Sequence, residues 1–145
     1  MKHAGFIVIF ALAAYASTAP VPEPKQATGS IGGLIQYQGH VIPAMRICAM
    51  DTQGQAAACM KTMAGHAKYT IRQLPAGEYR IIADVLQWEL KVGGHMQQVQ
   101  CIRAPCPPML KPVSLQDGQV LDKIDLDGFY YERKDFPVLP KEESP

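Results

Sequence analysis

The sequence has no apolar run long enough to cross a bilayer as a helix, which takes about 20 residues. Its longest apolar run, residues 4–16, stops at thirteen. There is no internal repeat, no heptad and no long helical pattern, which excludes solenoids, coiled coils and helical bundles. Neither charge predominates: 14 Lys and Arg face 13 Asp and Glu. Without a basic cluster, neither nucleic acid nor an anionic membrane is the expected partner. None of the four cysteines forms a C-x2-C pair, and an oxidising compartment opposes free thiolates, so a four-cysteine zinc site is not expected. His3, His40, His66 and His95 are not at ligand spacing, and none adjoins a serine or cysteine nucleophile pattern; they read as solvated loop histidines.

What is present begins with an export signal. Lys2 and His3 precede the apolar run, and Ala14-Tyr15-Ala16 supplies a small-x-small cleavage pattern. Cleavage after Ala19 would leave Pro20 immediately downstream, so the predicted cut follows Ala16. Residue 17 is serine, not cysteine, which argues against lipid attachment. Removing residues 1–16 takes away Lys2 alone among the charges, leaving a mature chain near neutrality, of a size for one domain. Its expected location is the periplasm or the exterior. Pro20, Pro22 and Pro24 stiffen a lead over residues 17–27, the domain is expected over 28–136, and residues 137–145 read as a flexible tail.

Four cysteines in an exported chain imply two bridges. Cys48 and Cys59 lie symmetrically about Gln53-Gly54, so a hairpin with a four-residue loop sets them opposite each other as a close, non-hydrogen-bonded pair. Cys101 and Cys106 bracket four residues that a local bridge would close. The expected pairs are Cys48–Cys59 and Cys101–Cys106.

Residues 68–84 carry the clearest fold signal. Tyr69 and Ile71 alternate with Lys68, Thr70 and Arg72, and Tyr79, Ile81, Ala83 and Val85 repeat the period of two. Between them Leu74-Pro75-Ala76-Gly77 forms a corner, in which Pro75 presets φ and Gly77 is the expected left-handed residue. Ile31, Ile35 and Tyr37 alternate with Ser30, Leu34 and Gln36, and Met45, Ile47 and Ala49 with Arg46, Cys48 and Met50. Asp117-Gly118 is a turn, after which residues 120–126 place Ile124 and Leu126 inward. The expected fold is all-β: a Greek-key sandwich of about seven antiparallel strands.

Gly29-x-Ile31-x-Gly33-x-Ile35-x-Tyr37, Ile42-Pro43-Ala44, and Tyr69-x-Ile71-x-x-Leu74-Pro75-Ala76-Gly77-x-Tyr79 together resemble the carboxypeptidase regulatory-like domain, a transthyretin-like sandwich grouped with carbohydrate-binding-like folds. The resemblance covers about residues 28–127. Gly93-Gly94-His95 and Phe129-Tyr130-Tyr131 with Phe136-Pro137 are similar to small exported bacterial members built from this domain alone. It implies a module without catalytic residues, serving adhesion or assembly or accompanying other activities. Ureide hydrolases of the transthyretin-like fold end in Tyr-Arg-Gly-Ser, and this chain does not. The departure from the simple domain is a longer, cysteine-closed excursion over residues 88–111, where a special function is expected to sit.

The candidate ligand-binding residues are Trp88, Arg103, Tyr130 and Tyr131. The aromatic rings suit either sugar stacking or closure of the sandwich ends, with packing the stronger account. Arg103 sits in a stiff loop that could meet a protein partner or act like a protease-inhibitor loop. Asp125 and Asp127 share a strand face opposite Asp122, too far apart to chelate Ca²⁺ unaided, and read as a polar outer face. The sequence implies neither cofactor nor metal. The leading expectation is a non-enzymatic, exported module that binds an envelope protein; the alternative is a carbohydrate-binding module.

Overall fold

The computed structural model describes residues 19–20, 26–86, 91–104 and 106–136. The expected signal and its cleavage point, most of the proline-rich lead, Trp88 and the tail at 137–145 lie outside the described residues.

The elements run β1 (Gly29–Leu34), β2 (Met45–Met50), β3 (Ala56–Thr62), β4 (Lys68–Leu74), β5 (Gly77–Val85), β6 (Lys91–Gly94), β7 (Val113–Leu115), β8 (Val120–Leu121) and β9 (Asp127–Glu132), then a 3-10 turn at Arg133–Asp135. They form an all-β sandwich: one sheet in the order β4-β1-β8, the other β3-β2-β5-β6-β9 with β7 also on β5. The described residues contain nine strands, three of them of four residues or fewer, where about seven were expected. Nor are all pairs antiparallel. Residues 120–126 run parallel to β1, and only Val120 and Leu121 qualify as strand. Asp125 explains the irregularity, because its carboxylate takes the Leu34 N–H at 2.8 Å, a donor that a regular ladder would pair with backbone, and also accepts from the Gln36 side-chain amide at 3.2 Å.

Between the sheets lie Ile31, Ile35, Met45, Ile47, Tyr69, Ile71, Leu74, Ile81 and Leu126, all buried, in the alternation that the sequence predicts. Each contributes roughly 1.5–3 kcal/mol of burial free energy. The Tyr79 hydroxyl donates to the Pro75 carbonyl at 2.7 Å and ties the β4–β5 corner. Gly77 keeps an ordinary φ, contrary to expectation; the left-handed residue is Gln73, at φ 59°. An irregularity in the β1–β4 register at Gly29/Ile31 places the distortion one step before the corner.

The larger sheet is buried on both faces, where alternation alone predicts one. Cys48, Met50, Ile82 and Val92 form a second cluster with Phe136, covered by Met96, Leu110 and Tyr131. Asp84 also points outward; its carboxylate is almost buried and pairs with Arg133 from the C-terminal turn.

The excursion has a simple origin. Ile82 faces Gly94 and Tyr79 faces Val113, so three steps along β5 correspond to nineteen along its neighbour: sixteen residues are extra. β6 and β7 are thus one strand interrupted by an insert, residues 95–110. The expected excursion from residue 88 is corrected accordingly, since residues 91–94 belong to the sheet. A Met96–Leu110 bridge, Gln97 N–H to the Met109 carbonyl (2.7 Å) and Lys111 N–H to the His95 carbonyl (2.8 Å) zip the insert into an arm. Gly94 permits the departure: a Cβ there would collide with the Ile81 carbonyl oxygen and Leu110.

Candidate functional site

The arm lies beside β9, and a cleft of about 450 Å³ opens between them. One wall comes from Met96, Gln97, Gln98 and Val99 on the outgoing limb, with Ala104 and Cys106 of the disulfide-closed tip and Pro107 after it. Asp127, Gly128, Tyr130 and Tyr131 form the other wall, and Gln38 reaches in from the loop after β1.

Local geometry in β9 creates this space. Val92 pairs with Tyr131 and Gly94 with Asp127, so four residues of β9 span what two cover on β6. The bulge turns at Gly128, whose φ of 73° suits glycine, and Met96 packs against it. Bulges of this kind re-aim side chains near functional sites.

Tyr131 is structural. Its hydroxyl donates to the Cys106 carbonyl at 2.9 Å, and its ring meets Phe136 edge-on at 5.9 Å. Tyr130 is different: more than half exposed, it leans on Tyr131 at 4.5 Å and leaves a face open at the cleft. The two disulfides are Cys48–Cys59, directly opposed with Cα atoms 4.1 Å apart, and Cys101–Cys106, which closes the arm tip. Arg103 is exposed on that tip beside a fully exposed Ile102, and neither lines the cleft. The structure therefore joins Tyr130 and Tyr131 in one place and holds Arg103 apart from them.

Asp127 is not on a polar outer face. Its Oδ1 is shielded and accepts no hydrogen bond among the described residues. Burial raises its pKa above the ordinary carboxylate value, opposed by the Met96 peptide N–H, His95 and its own N–H, and assisted by Asp125. His95 is not a solvated loop residue either: half-buried at the arm's root, it holds Nδ1 2.8 Å from the Asp125 carbonyl oxygen. Sequence reasoning missed Gln38, Gln97 and Gln98, and read Asp127 as part of a polar outer face. An isolated glycine within the alternating run at 127–132 was the available signal for the bulge.

Among the described residues no group of three His, Cys, Asp or Glu side chains is placed to hold a metal ion, and no helix is long and apolar enough to cross a membrane. Searches against family models, curated proteins and solved structures find no match.

Proposed function

We propose that this chain is an exported, non-enzymatic binding module of the cell envelope that presents the disulfide-closed tip of its arm to a protein partner. The observation that carries this reading is the tip itself. Ile102 is fully exposed between bridged cysteines, beside an exposed Arg103, on an insert that the β5 pairing does not require. A large apolar side chain held in water by a stapled loop loses little further entropy when it docks. Two disulfides support residence in an oxidising compartment, and the resemblance to carboxypeptidase regulatory-like domains supports a role without catalysis.

A photoreactive side chain at position 102 should capture a discrete envelope protein, and the same group at position 72 should not. Ile102→Asp with Arg103→Glu should abolish capture while leaving the circular dichroism unchanged. Identical products from both positions, or none from position 102, would refute the tip as an interface. Mass spectrometry of the mature chain should find Ser17 at its start; an intact Met1 would refute export.

A further inference from the structure

We propose that the cleft between the arm and β9 is a saccharide site, with Asp127 as its hydrogen-bonding anchor and Tyr130 as its stacking face. The inference is separable from the protein-facing reading, because Ile102 and Arg103 lie outside the cleft although Ala104 and Cys106 of the same loop line it.

The space, about 450 Å³, falls within the roughly 300–1,000 Å³ of small-molecule sites. Its chemistry is specific. A shielded carboxylate oxygen without a partner calls for a donor, and Asp127, whose Oδ1 is such an atom, is among the residues that line the cleft. The side-chain amides of Gln38, Gln97 and Gln98 offer donors as well as acceptors. A ligand that only donates, such as an ammonium, would leave those amide donors unmatched. Hydroxyl groups both donate and accept, so a polyhydroxylated molecule satisfies the carboxylate and the amides together. Tyr130 adds an open aromatic face, fixed from behind by Tyr131, on which the C–H face of a pyranose can lie. Met96, against Gly128 beside Asp127, is the adaptable side chain that can yield as a hydroxyl approaches. Stacking face, bifunctional amides and an unmatched acceptor converge on a sugar rather than on a simple polyol, which has no ring face to stack.

The test titrates the full mature chain with maltose, cellobiose and N,N′-diacetylchitobiose, using calorimetry and saturation-transfer NMR, with glycerol and spermidine as controls. At least one disaccharide should saturate and glycerol should not. Tyr130→Ala and Asp127→Asn should each weaken binding at least ten-fold, and Thr70→Ala on the opposite sheet should not. Gln98→Ala, at an exposed residue that belongs to neither hydrophobic cluster, should also weaken it and guards against a folding defect in Asp127→Asn. Failure of all three disaccharides to saturate, binding unaffected by Tyr130→Ala and Gln98→Ala, or Asp127-dependent binding of spermidine would each overturn the proposal. None of these substitutions alters the tip, so failure here is distinguishable from failure of the protein interface.

Discussion

The hydroxyl of Tyr131 reaches across from β9 to the carbonyl oxygen of Cys106 at 2.9 Å, and so fastens the returning limb of the arm to the sheet edge. This bond joins a disulfide-bonded residue of the insert to the C-terminal strand, 25 positions further along the chain.

Tyr131→Phe should therefore loosen the arm without unfolding the sandwich. The ring contacts with Phe136 and Tyr130 survive, and the lost hydrogen bond costs about 1 kcal/mol. Hydrogen exchange should show faster Gln97 and Lys111 amides, the two that zip the arm, with β5 unchanged. Equal acceleration throughout would mean that the arm and sheet open as one unit.

The Asp84–Arg133 pair makes a second prediction. Asp84 is almost buried on the outer face of β5, while Arg133 is about half exposed (47%). Arg133→Ala leaves the carboxylate without its partner and should cost about 2 kcal/mol, under the roughly 3–5 kcal/mol for breaking a fully buried pair. Adding Asp84→Asn should recover part of that loss in urea denaturation. An Arg133→Ala midpoint equal to wild type would show that the turn contributes nothing.

Tyr69 sets an alkaline limit. Burial, with a smaller contribution from Asp125, raises its pKa well above the ordinary 10.0, and its hydroxyl donates to the Ile124 carbonyl at 2.6 Å. The unfolded chain releases this proton at lower pH than the folded one. The stability contributed by neutral Tyr69 is thus complete below about pH 10 and is lost as pH rises toward the folded pKa. Tyr69→Phe should cost about 1 kcal/mol at neutral pH and flatten the alkaline slope. A slope unchanged in this variant would assign it elsewhere.

Gly94→Ala should be strongly destabilising, by about 2 kcal/mol or more, because the new methyl meets a backbone carbonyl that cannot rotate away and the Leu110 side chain. Gly54→Ala serves as the comparison: its φ of 77° brings strain, but no atom lies within 4 Å of the added carbon. Thermal denaturation should separate the two, and equal midpoints would show that the arm's exit tolerates displacement.

The inward faces were legible in the sequence because period two is local: Tyr69 and Ile71, then Tyr79 and Ile81, announce one buried side each. Cys48 opposite Cys59 was legible for the same reason, since their hairpin closes within a dozen residues. Ile82 and Asp84 were not. Their cover comes from residues 96, 110, 133 and 136, which no local pattern places above β5. The cleft was hidden likewise, being assembled from the loop at Gln38, the arm and the β9 bulge. Gln73 took the left-handed conformation expected at Gly77 because the β1–β4 register shift, a pairing between distant segments, decided where the strain falls.

The Met96–Leu110 bridge closes the sheet register before the chain reaches the tip. Beyond that bridge the arm is held to the sandwich through the Tyr131–Cys106 hydrogen bond, and changes in length or sequence that keep both ties leave β6 and β7 in place. The frame works as a socket and the arm as a cartridge: a different segment seated between the same two residues would present a different surface from an unaltered scaffold.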